Sequence, residues 1–143
     1  MKNKKLYYFL KYFFVLILLS TAIGKLLDNR GFAEVILTYQ FGIPFTMALV
    51  LGLSVSLFEL FLGLAVLLDI RQTRNGILLI MMHAGYAFLA LTSLARDLQL
   101  KNCGCFGIFL QRPLTWFTFV EDIVLISMAS LFYWLVKKQN IKT

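Results

Sequence analysis

The chain has 143 residues, of which 60% are hydrophobic, and its 14 Lys and Arg outnumber 7 Asp and Glu for a net charge of +7. Soluble domains hold about 45–50% apolar residues, and one modest core cannot hide the excess, so water is not the main solvent. The basic residues fall between apolar blocks rather than in an aromatic-interleaved stripe, which excludes a nucleic-acid surface, while two cysteines and one histidine exclude a dense disulfide scaffold and a four-ligand Cys/His zinc site.

Four apolar blocks follow in chain order: Leu6–Leu27, Phe45–Leu68, Gly76–Ala95 and Leu114–Val136. Each reaches the roughly 20 residues a helix needs to cross ~30 Å of hydrocarbon. A backbone in lipid must satisfy its own hydrogen bonds, so blocks this continuous read as transmembrane helices. The expected fold is all-α, a four-helix membrane bundle forming one domain over 1–143, with connections Asp28–Pro44, Asp69–Asn75 and Arg96–Pro113.

The first block has a second reading as a cleaved signal peptide, because lysines precede it and Ser20-Thr21-Ala22 supplies small residues near a cleavage point. Its continuation through Ile23, Leu26 and Leu27, with Lys25 inside, favours a retained helix. With the N-terminus inside, the cytoplasmic flanks hold nine basic residues (Lys2, Lys4, Lys5, Lys11, Arg71, Arg74, Lys137, Lys138, Lys142) against five outside (Lys25, Arg30, Arg96, Lys101, Arg112). The positive-inside rule then places both termini in the cytoplasm of a bacterial-type inner membrane.

In the first outer connection, Phe32, Val35, Ile36, Tyr39 and Ile43 recur at helical spacing opposite Glu34, Thr38 and Gln40, and Gly42-Pro44 ends the pattern. This predicts a short amphipathic helix at the interface, lidding the bundle; a plain connector is the other reading. In the second span Glu59 sits near the middle, and His83 lies at a similar depth in the third. The two are expected to be able to meet, since a lone carboxylate in the bilayer costs several kcal/mol and must face a partner. Towards the outer side, snorkelling of Lys25 brings it level with Glu121 and Asp122 of the last span, and Asp28 joins the expected polar cluster. These groups either hold a quinone head group and relay protons, or serve as interhelical hydrogen bonds. Trp116 and Trp134, near the two ends of the last span, read as interfacial belts.

Asn102-Cys103-Gly104-Cys105-Phe106-Gly107 falls in the second outer connection, on the oxidising side of the membrane. Cysteines two apart reach bonding distance only through a sharp bend, which Gly104 permits. A ring so small is strained, and a strained accessible disulfide passes oxidising equivalents to other thiols. A static clip, idle thiols, or a two-cysteine metal site completed by Asp97 or another chain are the competing readings. Lys101 is a nearby positive charge able to lower the pKa of Cys103.

Ser20-Thr21-Ala22-Ile23-Gly24-Lys25-Leu26-Leu27-Asp28 and Glu59-Leu60-Phe61-Leu62-Gly63-Leu64 resemble the corresponding stretches of DoxX-like membrane proteins. Cys103-Gly104-Cys105-Phe106-Gly107, followed by a helix with a polar pair, resembles the methylamine-utilisation protein MauE family. The resemblance implies a multi-pass protein of the bacterial cytoplasmic membrane. It also implies a part in maturing a disulfide-rich periplasmic protein of the methylamine dehydrogenase small-subunit type, with Cys103 and Cys105 as the exchanging thiols and a thioredoxin-like partner. DoxX-like relatives imply the alternative of a quinone-reactive oxidoreductase subunit; a third reading is a non-catalytic assembly subunit. The architecture is also similar to that of vitamin K epoxide reductase. With a single cysteine pair, however, no two-pair relay can be assembled within this chain, so a partner thiol protein supplies the rest.

Overall fold

The computed structural model describes the backbone of residues 2–140 and side chains from Lys4 to Lys138. Lys142 and the side chain of Lys2, counted among the basic flanks, lie outside the described residues. The described residues form five helices and no strand: α1 (Lys2–Leu27), α2 (Asn29–Thr38), α3 (Phe45–Leu67), α4 (Gln72–Ala95) and α5 (Trp116–Asn140). Within these, Lys4–Leu27, Phe45–Leu67, Gln72–Ala95 and Trp116–Lys138 are long and apolar enough to cross a membrane. The protein is therefore a four-span helical membrane protein with an added short helix.

Local chemistry sets the boundaries. Asp28 ends α1 and caps α2, its carboxylate accepting from the Gly31 N–H at 2.7 Å. The amphipathic pattern through Ile43 runs past the helix it predicts. α2 stops at Thr38, and the chain turns through Gln40 and Gly42 with positive φ before Pro44 opens α3. α4 starts four residues before the expected Gly76, because its polar first turn finds partners in the preceding one: Gln72 donates to Val66 O and Asp69, and Asn75 to Ile70 O. α5 starts two residues after the expected Leu114. The Leu114 N–H is committed to Leu100 O in the loop, and the Thr118 hydroxyl accepts from the Thr115 N–H at the new start.

α1 packs chiefly on α3, and α4 on α5; narrower contacts of α1 with α5 and α3 with α4 join the two pairs, while α2 rests on α3 and α1. At one end the pairs meet in a closed core that includes Phe14, Leu18, Leu79, Phe132 and Leu135. Lipid tails are as apolar as these side chains, so the core holds by close packing rather than by escape from water. Lys11 and Tyr7 of α1 both donate to Asp69 in the α3–α4 turn, pinning that end. Burial alone would raise the Asp69 pKa, but the bonds from Lys11, Tyr7 and Gln72 outweigh it and hold the carboxyl below its ordinary value. At the other end, which carries the cysteines and is here called the thiol end, the pairs stand apart.

Candidate functional site

The 96–115 loop crosses the thiol end in a fixed course. Cys103 N–H donates to Arg112 O at 2.7 Å and Leu114 N–H to Leu100 O at 2.9 Å, tying its two limbs together. Asn102 shapes the bend: its side chain accepts from the Gly104 N–H and donates to Gly107 O. Gly104 and Gly107 have φ of +75° and +69°, the left-handed region that side chains avoid. Gly107 serves a second purpose, since a Cβ placed there would lie 2.6 Å from Gly24 O, and one on Gly24 would lie 2.7 Å from Phe106 O. The loop thus docks backbone-to-backbone on α1, one residue before Lys25. Tyr39, just after α2, closes the other side by donating to Cys103 O at 2.8 Å.

Both cysteines are free thiols, Cys103 buried and Cys105 partly buried. The Cys105 N–H donates to Cys103 Sγ at 3.3 Å. The largest influence on Cys103 is the hydrogen bond from the Cys105 thiol; with that N–H and the Arg112 guanidinium it outweighs burial and brings Cys103 down from 9.0 to about 6. The same thiol–thiol bond, with burial, pushes Cys105 up. The cation acting on Cys103 is Arg112, not the expected Lys101, whose side chain is exposed.

The ionisable groups of the spans pair differently from the expected scheme. Lys25 does not snorkel: it is 2% exposed and donates to Glu59 Oε1 at 2.7 Å and Oε2 at 2.9 Å, with Glu59 1% exposed. Tyr86 of α4 donates to the same carboxylate, and the Phe32 and Tyr86 rings each lie 5.3 Å from Lys25 Nζ. Glu59 therefore meets Lys25 rather than His83. The reason is topological: α1 packs on α3, which no count of depths along separate helices reveals. Glu121 is likewise taken by Arg112, which reaches both its oxygens at 2.7 and 2.9 Å. Asp28 is spent on the α2 cap. His83 Nδ1 lies 2.9 Å from Leu79 O; a carbonyl only accepts, so Nδ1 carries the proton and Nε2 is left as an acceptor. Asp122 is 9% exposed.

A cavity of about 650 Å³ lies between the helix pairs, and Lys25, Glu59, His83, Asp122 and both cysteines line it. Of the expected groups, Lys25, Glu59, His83, Glu121, Asp122 and both cysteines thus share one space, although through different pairs, and Asp28 does not line it. Tyr86, Tyr39, Arg112 and Phe32 belong to the same wall and were not legible as site residues. Tyr86 follows His83 by three residues, which places both on one helical face; that spacing was the available signal.

No curated protein and no solved structure matches the chain significantly. The family model described as methylamine utilisation protein MauE matches residues 3–135, across all four spans and the Cys-Gly-Cys-Phe-Gly loop. A match over nearly the whole length, on a protein with this fold, places the chain in the methylamine utilisation protein MauE family.

Proposed function

We propose that this protein handles thiol–disulfide exchange at the extracytoplasmic face of the membrane, assisting maturation of a disulfide-containing protein of the kind the family's name associates with methylamine utilisation. The observation that carries the reading is the polarised cysteine pair: Cys103 stabilised as thiolate by the Cys105 thiol and Arg112, on a bend held by two positive-φ glycines. A thiolate is the attacking species in exchange, and a pKa near neutral combines availability with nucleophilicity. Cys103 attacks a partner disulfide, one partner sulfur leaves as thiolate, and Cys105 then attacks the mixed disulfide to release the reduced partner and close the Cys103–Cys105 bond. The reverse sequence oxidises a client.

The orientation belongs to the same proposal: eight described basic residues (Lys2, Lys4, Lys5, Lys11, Arg71, Arg74, Lys137 and Lys138) flank the end opposite the thiols and five lie at the thiol end, which supports a periplasmic thiol end. Cys105→Ala, which removes the resolving thiol, is expected to accumulate a mixed disulfide with a partner protein, visible on non-reducing gels. Membrane-impermeant maleimide applied from the periplasmic side is expected to label the reduced pair. Clients that mature normally in the double Cys103→Ala/Cys105→Ala variant overturn the reading, as does a reduction potential well below about −300 mV, which marks a static structural bond.

A further inference from the structure

Asp122 stands in the second turn of α5, inside a stretch apolar enough to cross a membrane, and is 9% exposed. An ionisable group within a span is costly, and it is kept where something uses it. The other carboxylates named above are engaged: Glu59 by Lys25 and Tyr86, Glu121 by Arg112, and Asp28 by the α2 cap. Asp122 takes part in none of the ion pairs among the described residues. It lines the thiol-end cavity together with Thr118, one turn earlier, and with both cysteines. Phe119, on the turn between, packs against the small apolar cluster of Ala90, Leu100, Cys103 and Leu114. The start of α5 thus brings this carboxylate to the sulfurs.

The resolving half of the exchange needs such a group. In the free pair the Cys103 thiolate holds the Cys105 proton by the thiol–thiol bond. Once Cys103 is joined to a partner sulfur it carries no charge and no longer serves as that acceptor. Cys105 must still ionise before it attacks, because the thiolate is the nucleophile. Besides Cys103, the charged groups acting on Cys105 are Lys25 and Asp122. Lys25, which the Gly24–Gly107 contact sets beside the loop, favours the new thiolate, but an ammonium has no acceptor, and neither has the Arg112 guanidinium. Among the other titratable groups on the wall, Glu59 and Glu121 are held by cations, while Tyr39 and Tyr86 already donate to Cys103 O and Glu59. His83 interacts with Glu59 and Lys25 rather than with either sulfur.

We propose that Asp122 is the proton acceptor for Cys105 in the resolving step. The proton moves from Cys105 Sγ to the Asp122 carboxylate, which removes the negative charge that opposes the thiolate and leaves Lys25 as its counter-charge. Cys105 then attacks Cys103 Sγ. The Cys103–Cys105 bond forms, the bond from Cys103 to the partner sulfur breaks, and its electron pair leaves on the partner as thiolate. The proton on Asp122 passes to that departing thiolate or to water. Over the two attacks the partner disulfide gains two electrons and the cysteine pair loses two. The inference rests on the exchange role above and supplies the base that its second half requires.

The test uses the full chain in lipid nanodiscs, reduced and freed of reductant, mixed in stopped flow with dithiobis(nitrobenzoate). Attack by Cys103 releases one thionitrobenzoate and the resolving attack by Cys105 releases the second; only the second phase is independent of reagent concentration, and Cys105→Ala lacks it. Asp122→Asn is expected to slow the second phase about a hundredfold at neutral pH, with the gap narrowing at alkaline pH as Cys105 ionises unaided. It should not slow the first phase, because it removes a negative charge near the Cys103 thiolate. Asp122→Glu should restore most of the second phase. The direction of the change is decisive: if Asp122 were only a nearby negative charge, Asp122→Asn would ease the ionisation of Cys105 and speed the second phase, which overturns the proposal. Equal slowing of both phases, or loss of the second phase in His83→Ala but not in Asp122→Asn, overturns it too. Asp122→Ser is the second variant should Asp122→Asn misfold, with the first phase reporting an intact loop. A second phase indifferent to Asp122, in chains that still trap a client, removes the proton acceptor and leaves the exchange role standing. A second phase that depends on Asp122, in chains that trap no client, does the opposite.

Discussion

The Lys25–Glu59 pair offers the sharpest test of how this bundle holds together. It is almost completely buried, and Tyr86 adds α4 to a link between α1 and α3, so it ties together helix pairs that otherwise stand apart at this end. Removing one partner of a buried ion pair strands the other, at about 3–5 kcal/mol. Here the stranded group keeps a residual neighbour: Glu59 retains the Tyr86 hydroxyl, and Lys25 retains that oxygen at 3.5 Å and two aromatic faces. The expected cost of Lys25→Met or Glu59→Leu is therefore at the lower edge, about 3 kcal/mol each. The double variant loses both charges and places apolar groups in an apolar wall, so it should cost far less than the sum, with a coupling of about 2–3 kcal/mol. Unfolding in mixed micelles by titrated denaturing detergent, followed by helical circular dichroism, measures all three. Single variants costing under about 1 kcal/mol, or strictly additive effects, would refute the view that this pair is buried and mutually dependent.

Other expectations follow from the loop. Gly107→Ala must hold the left-handed region at about 1–2 kcal/mol and also back away from Gly24 O, whereas Gly42→Ala, with φ of +67° and nothing within 4 Å, meets only the first cost; thermal melts in detergent should rank Gly107→Ala as clearly the worse, and equal melts would remove the docking argument. Alkylation of Cys103 should follow a midpoint of about 6, and Arg112→Gln or Cys105→Ala should move that midpoint upward, read from iodoacetamide rates against pH. Since Cys103 is depressed from 9.0 to about 6, its ionisation contributes stability that is present at pH 9 and is lost as pH falls towards 6; above 9 the raised Cys105 works in the opposite direction. The stability gap between wild type and Cys103→Ser should accordingly widen from pH 6 to 9, and a gap constant over that range would contradict the shift. Tyr39→Phe deletes the bond to Cys103 O at about 1 kcal/mol, and should speed hydrogen exchange in 100–114 while leaving the spans protected.

Composition and block length were enough to determine the solvent and the architecture. Lipid forbids unpaired backbone, so each continuous apolar block had to become a helix, and the amphipathic spacing of Phe32, Val35 and Ile36 marked the extra one. The Cys-Gly-Cys-Phe-Gly motif also announced its own geometry, because a bend with two cysteines two apart demands a residue free to take positive φ. What the linear chain could not contain was partner choice. Counting depth along separate helices set Lys25 level with Glu121 and Asp122 and Glu59 level with His83, whereas Lys25 in fact binds Glu59. The packing of α1 on α3 decided it, leaving Glu121 to Arg112 and His83 to a carbonyl one turn back along its own helix. The cavity likewise has no sequence signature, since it is a space between helix pairs that touch closely at one end and stand apart at the other; its walls come from all five helices and the 96–115 loop, whose angles are set by packing, not by any local preference.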